Sequence, residues 1–161
     1  MTDVAATREF IKSLPKTETH LHVEGALPWE LLERKNPTKY SRQPDFRGES
    51  FRYESFEQFE SILIGHALDW FDSPESYHEA AGLIFKKQVE QNVRYVETSF
   101  HAGMMEFLGI PGEEILQAIL SAVPPELEVR VFLGISRNAY TPYLAPMLEE
   151  AIEKWDSLAG I

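Results

Sequence analysis

Polar and apolar positions alternate along residues 16–24, which read KTETHLHVE. A period of two is the signature of a β-strand, because successive side chains point to opposite faces of the sheet. One predicted face carries threonine and aliphatic residues. The other is wholly polar or ionisable and holds Glu18, His20, His22 and Glu24. The pattern therefore predicts a first strand with two imidazoles between two carboxylates on one face.

Two later segments, residues 93–100 and 128–136, are rich in β-branched and aromatic residues and predict further strands. Residues 157–161 read as the start of a fourth strand. The predicted helices cover residues 28–34, 56–63, 74–92 and 113–123, and a last helix begins at Thr141 and Pro142. Apart from the first of these helices, residues 26–52 carry prolines and mixed charges and predict an irregular excursion.

Strands that alternate with helices predict an α/β protein with a parallel sheet and right-handed crossovers. Three βα units and the beginning of a fourth strand would leave an unpaired sheet edge and an uncovered apolar layer. We therefore expect residues 1–161 to be a fragment of a longer protein.

Composition narrows the classes of function. Hydrophobic residues make up 43% of the chain, which is typical of a packed globular protein. The net charge of −11 and the lack of a Lys/Arg-rich stripe disfavour nucleic-acid binding. No signal peptide or membrane helix is predicted, so a cytoplasmic location without membrane association is expected. Since the chain has no Cys, any metal must be held by His, Asp or Glu.

His20 and His22 are the candidate metal ligands. Alternate positions on a strand lie about 7 Å apart at Cα, close enough for two imidazoles to bind one ion. The pair lies near the end of the first strand, and catalytic groups of (β/α) barrels gather at the carboxyl ends of strands. The alternative is a structural histidine pair on a solvated strand face.

Residues 14–25, LPKTETHLHVEG, strongly resemble the opening motif of the adenosine deaminase family. Residues 93–98 look like the second barrel strand of that family, residues 129–138 like its third strand, and residues 159–161 like the start of its fourth. The resemblance implies the N-terminal part of a (β/α)8 TIM-type barrel. Residues 1–161 would then be an incomplete part of a single metal-dependent deaminase domain, with the remainder of the barrel on missing polypeptide.

The resemblance also implies a reaction, the hydrolytic deamination of a 6-aminopurine such as adenosine, adenine or a related nucleoside. In such enzymes the first-strand histidines, here His20 and His22, bind Zn²⁺ together with a His and an Asp from later strands. The metal lowers the pKa of a bound water, and the resulting hydroxide attacks C6 of the purine. The proton shuttle, a Glu, is expected beyond Ile161, so the chain alone is expected to be inactive.

Four residues are expected to contact substrate. His22 would lie against it, and Glu24 stands where adenosine-specific members typically have Asp, which leaves the identity of the aminopurine open. Phe59 and Leu63 correspond to the apolar gate helix of the family. The alternatives are that Glu24 caps the following segment and that Phe59 and Leu63 are core residues.

Other interpretations of the chain stay open. It could belong to another His-x-His metal-dependent barrel hydrolase, or it could be a non-catalytic half-barrel that hides its sheet edge by oligomerising. His101 either faces the pocket or is solvated. His66 and His78 receive no role, and no oligomeric state is predicted.

Overall fold

The computed structural model describes residues 3–137, 142 and 144–161. Seven helices are assigned within these residues: α1 Val4–Ser13, α2 Trp29–Lys35, α3 Phe56–Trp70, α4 Pro74–Glu90, α5 Ala102–Leu108, α6 Gly112–Ser121 and α7 Leu144–Lys154. The strands are β1 Lys16–His22, β2 Val93–His101 and β3 Glu128–Gly134, and a short 3-10 helix covers Asp45–Arg47.

The three strands form one parallel sheet in the order β1-β2-β3. Gly160 makes an isolated parallel bridge to Phe132, and the Ala159 amide donates to the Val131 carbonyl at 2.8 Å. The chain therefore starts a fourth strand beside β3, which confirms the predicted α/β architecture.

One face of the sheet packs against helices and forms the core. Val96 and Phe100 of β2 and Val131 and Leu133 of β3 are fully buried there. Helix α4 packs against β2, and α6 packs against α4 and β3. Side chains alternate along each strand, so the opposite face of β2 carries Glu97, Ser99 and His101.

Helix α4 begins as its sequence predicts. Ser73 caps it, accepting a hydrogen bond from the Ser76 amide at 3.3 Å, and Pro74 occupies the first turn. Tyr77 and Phe85 are fully buried on its inward face. Helix α4 therefore contributes to the core.

Helix α3 is buried at one end only. Phe56 is 68% exposed and Phe59 is 38% exposed, while Ala67 and Trp70 near the other end of the helix are buried. The reason is that α3 packs on α2, leaving its N-terminal half partly open. Phe59, for which a core position was the alternative to a place on the gate helix, therefore does not lie in the core.

Other boundaries differ in detail. β1 ends at His22, and β3 ends at Gly134 instead of residue 136. Helix α5 was not predicted. The Thr141 cap and the last residue of the third-strand resemblance, residue 138, lie outside the described residues. No helix in the described part of the chain is long and apolar enough to cross a membrane.

Candidate active site

The side chains of His20 and His22 meet at the carboxyl end of β1. Their Nε2 atoms lie 3.2 Å apart, and their ring centroids are 5.1 Å apart. Both residues are exposed. The two imidazoles thus point their outer nitrogens at one place on the surface of the sheet.

A break in strand register produces this arrangement. Glu18 pairs with Val96 and Leu21 pairs with Thr98, so β1 uses three residues where β2 uses two. Such a bulge disrupts the alternation of faces. Glu18 is therefore in register with a buried residue, while His22 is in register with Ser99 on the open face. The expectation that Glu18 shares a face with both histidines is wrong.

The His22 ring is fixed from its other side. Its Nδ1 lies 3.0 Å from the Ser99 Oγ. Partial burial, and next the charge of His20, lower the pKa of His22. The neutral form of the imidazole is therefore favoured, and only this form offers a lone pair to a metal.

The separation of the two nitrogens suits a tetrahedral metal. Two nitrogens that bind zinc at about 2.0–2.1 Å lie about 3.3–3.4 Å apart at the tetrahedral angle. The His20 and His22 Nε2 atoms need to move by only about a tenth or two of an ångström from their 3.2 Å separation to match it. Within the described residues, no group of three His, Cys, Asp or Glu is placed to hold an ion. The chain thus brings together two ligands that fit a metal.

A shallow cavity of about 210 Å³ surrounds the pair on the open face of the sheet. Its walls include Thr19, Glu97, Ser99 and Phe132. The Glu97 carboxylate accepts a hydrogen bond from the Tyr95 hydroxyl at 2.9 Å.

Glu24 lies just beyond the strand and is buried, with 7% of its surface exposed. Its Oε1 accepts hydrogen bonds from the Tyr77 hydroxyl at 3.1 Å and from the His101 amide at 2.9 Å. Burial raises the pKa of Glu24, although these hydrogen bonds act in the opposite direction. The carboxyl connects the ends of β1 and β2 with helix α4 and does not cap the segment that follows it.

Glu24, Phe59 and Leu63 line a second cavity, of about 90 Å³. Three of the four residues expected to contact substrate are therefore brought together. His22 instead lines the cavity on the open face of the sheet. Gly25 separates the two, since a Cβ built on it would lie 3.6 Å from the His22 Cβ and 3.8 Å from the Leu63 Cδ1.

The same small cavity is also lined by two basic residues, Arg47 and His66, to which the sequence assigned no role. The His66 ring packs among Trp29, Tyr40 and Phe46, with ring centroids 5.4–6.0 Å apart. Burial is the main cause that lowers the pKa of His66. Because these partners lie on three separate segments, no sequence spacing could have indicated the cluster.

The remaining histidines have structural contacts. The His101 Nδ1 accepts a hydrogen bond from the Gly103 amide at 3.0 Å and caps α5. Burial and the charge of His22 lower the pKa of His101. His78 of α4 contacts the Ser121 Oγ of α6 at 2.9 Å. The capping contact does not decide between the two interpretations of His101, a pocket residue or a solvated one.

Curated proteins with similar sequences include several deaminases. An adenine deaminase of Bordetella avium is 26% identical over 150 residues, covering 89% of this chain and 46% of that protein. An uncharacterized deaminase of Schizosaccharomyces pombe is 31% identical over 133 residues, covering 76% of this chain and 36% of that protein. The chain thus spans about half the length, or less, of the curated relatives it matches. No family model matches the chain.

Solved structures share the fold. An amidohydrolase of Burkholderia ambifaria, with bound Zn, has a TM-score of 0.70 at 18% identity, covering all of this chain and 47% of its own. The N6-methyl-AMP deaminase of Arabidopsis thaliana has a TM-score of 0.66 at 21% identity, covering 95% of this chain and 51% of its own. The resemblance to the adenosine deaminase family is confirmed, and the chain has the fold of about half of an amidohydrolase barrel.

Proposed function

We propose that this chain is the N-terminal part of the single barrel domain of a zinc-dependent deaminase, which hydrolytically removes the amino group from C6 of a 6-aminopurine. The observation that carries the proposal is the convergence of the His20 and His22 Nε2 atoms, 3.2 Å apart, at the carboxyl end of the first strand. Catalytic groups of such barrels lie at this end of the strands. The deaminases among the relatives and the bound Zn of one structural neighbour support the assignment.

His20 and His22 would hold the metal through Nε2, since these atoms lie 3.2 Å apart, close to the spacing of two zinc-bound nitrogens. When bound, zinc lowers the pKa of a coordinated water towards neutrality and so supplies a nucleophile. Catalytic zinc needs about three protein ligands. The other ligands and the proton-transfer group would come from polypeptide outside these 161 residues, since the relatives are about twice as long.

The cavity lined by Glu24, Phe59 and Leu63 would hold part of the purine. The two apolar side chains suit the flat face of the base, and the Glu24 carboxyl can hydrogen-bond to its edge. Because burial raises its pKa, Glu24 keeps its proton to higher pH and can then donate as well as accept. The cavity of about 90 Å³ is smaller than the roughly 300 Å³ of an ordinary ligand pocket. The substrate would therefore extend from it towards His22.

The relatives leave the substituents of the purine open. Those that match by sequence include adenine deaminases, and one structural neighbour is an N6-methyl-AMP deaminase. Both kinds of substrate carry a nitrogen at C6, which is the group that the proposed reaction removes. We assign the substrate to the class of 6-aminopurines.

Zinc binding tests the metal assignment. We expect the wild-type chain to bind one zinc ion in a chelator-competition titration, and His20→Ala and His22→Ala to weaken binding at least tenfold, because each removes one of two ligands. The control is His78→Gln, which changes a histidine on the far side of α4 and should bind zinc like the wild type. If His20→Ala binds zinc as tightly as the wild type, the assignment is wrong.

Binding of a purine tests whether the cavity lined by Glu24, Phe59 and Leu63 holds the substrate. Adenine and AMP added to the zinc-loaded chain should shift the NMR signals of Phe59 and Leu63 more than those of α7. The chain should release no ammonia from adenine, adenosine or N6-methyl-AMP, because two ligands are too few for catalytic zinc. Turnover at an enzyme-like rate by the 161-residue chain would contradict the proposal that the site is completed by residues outside this chain.

A further inference from the structure

Ser99 occupies a fixed position behind the His22 ring. It is the register partner of His22 on β2, and its Oγ lies 3.0 Å from the His22 Nδ1. Two hydrogen bonds hold the strands together at this point. The Val23 amide donates to the Ser99 carbonyl at 2.9 Å, and the Thr98 hydroxyl donates to the Leu21 carbonyl at 3.0 Å. The sheet therefore sets the distance between the hydroxyl and the ring.

The two histidines differ in how many partners hold their rings in place. In the described part of the chain, the His20 imidazole has one hydrogen-bond and ring partner, the His22 ring. His22 is held at both nitrogens, by His20 on one side and by Ser99 on the other. A serine hydroxyl can accept from a protonated Nδ1 or donate to an unprotonated one, so the contact holds the ring in place and accommodates the Nδ1–H form that leaves the Nε2 lone pair for a metal.

We infer that Ser99 is a positioning residue that holds His22 with its proton on Nδ1 and its Nε2 lone pair towards His20, and thereby strengthens metal binding by the pair. In this arrangement Nδ1–H donates to the Ser99 Oγ. The inference rests on the proposed function for its metal, but the contact and the position of the proton belong to the chain without metal. Outer-shell partners of metal-bound histidines contribute about 10–100-fold to metal affinity.

The position of the proton can be measured directly. Long-range ¹H–¹⁵N NMR of the metal-free chain distinguishes a protonated Nδ1 from a protonated Nε2. We expect His22 to carry its proton on Nδ1 in the wild type and to shift towards Nε2 protonation in Ser99→Ala. A wild-type His22 protonated on Nε2 overturns the inference, whatever the zinc affinity.

Zinc affinity provides the second measurement. We expect Ser99→Ala to bind zinc about tenfold more weakly, at the lower end of the outer-shell range because the partner is a neutral hydroxyl. Ser99→Thr keeps a hydroxyl and should restore affinity to within a few fold of the wild type. Thr19→Ala is the matched control, because it removes a hydroxyl from the same cavity without a hydrogen bond to either ring.

The outcomes separate the two proposals. If His20→Ala loses zinc while Ser99→Ala binds it like the wild type, the role of Ser99 is wrong and the metal site stands. If the wild type binds no zinc, the proposed function fails, and the ring spectrum alone decides whether Ser99 sets the proton of His22. Equal losses in Ser99→Ala and Thr19→Ala also contradict a specific role for Ser99.

Discussion

Replacing Tyr77 by Phe tests whether the hydrogen bond between Tyr77 and Glu24, beside the proposed site, stabilises the fold. The Tyr77 hydroxyl donates to the Glu24 Oε1 at 3.1 Å, and both residues are buried. Burial and the neighbouring Glu24 raise the pKa of Tyr77, so the phenol stays protonated and remains a donor. Phenylalanine keeps the ring that packs 4.3 Å from Phe71, centroid to centroid. The substitution therefore removes one hydrogen bond with little loss of packing.

The expected loss in the free energy of unfolding follows from the charge on the acceptor. A hydrogen bond between neutral groups contributes about 1 kcal/mol, and one to a charged group about 1.5–3 kcal/mol. Glu24 keeps its second donor, the His101 amide, so it is not left without a partner. We expect a cost of about 1 kcal/mol where Glu24 is protonated and about 2 kcal/mol where it is ionised. For a chain of this length, that corresponds to a fall in Tm of about 2–8 °C.

Urea unfolding at pH 5 and pH 8 measures this loss, with Tyr95→Phe as the control. Tyr95 also donates to a carboxylate, Glu97, at 2.9 Å, but on the open face of the sheet. Removing this hydrogen bond should lower the free energy of unfolding by less than about 0.5 kcal/mol, as expected for a solvated contact. If Tyr77→Phe is no more destabilising than Tyr95→Phe at either pH, the Glu24 connection does not stabilise the fold and the argument is refuted.

Two further predictions concern packing and charge. Gly112→Ala should destabilise the chain by about 1–3 kcal/mol, since an added Cβ would lie 2.2 Å from the Trp155 ring and 2.3 Å from the Met105 sulfur. The control Gly65→Ala meets nothing within 4 Å and should stabilise α3 by about 0.5–1 kcal/mol, so equal urea midpoints for the two variants would contradict the packing. For Glu24, whose pKa burial raises, the stabilising contribution is full below its ordinary pKa of about 4.5 and is lost as pH rises through the higher folded value. The stability of the wild type relative to Glu24→Gln should therefore fall between pH 4 and pH 8 in urea titrations, and parallel curves would show that the carboxyl does not titrate differently on folding.

Local patterns predicted most of the fold because they agree with the contacts that the elements make. The Ser73-Pro74 start of α4 satisfies the first turn of a helix wherever that helix lies, and its apolar stripe is buried as predicted. Helix α5 was missed because its cap is unusual. The His101 Nδ1 accepts from the Gly103 amide, whereas the usual capping residues are Ser, Thr, Asp and Asn.

The site was predicted less completely because its contacts join residues that are far apart in the sequence. The His20 and His22 pair is a local feature, and two residues on one strand can be recognised from spacing alone. Ser99 approaches His22 only through the pairing of β1 with β2, and Tyr77 reaches Glu24 across 53 residues of sequence. These contacts depend on strand register and helix placement, which a period of two or of 3.6 residues does not specify.

At the bulge in β1 the alternating sequence pattern and the observed strand register disagree, and the bulge lies within the proposed site. A regular strand would place Glu18, His20 and His22 on one face, yet the register advances by one residue between Glu18 and Leu21. Bulges re-aim side chains and are common beside active sites. Here the displaced Glu18 accepts a hydrogen bond from the His20 amide at 3.0 Å, while the two imidazoles meet at Nε2 on the open face. The irregularity thus keeps the Glu18 carboxylate away from the two Nε2 atoms.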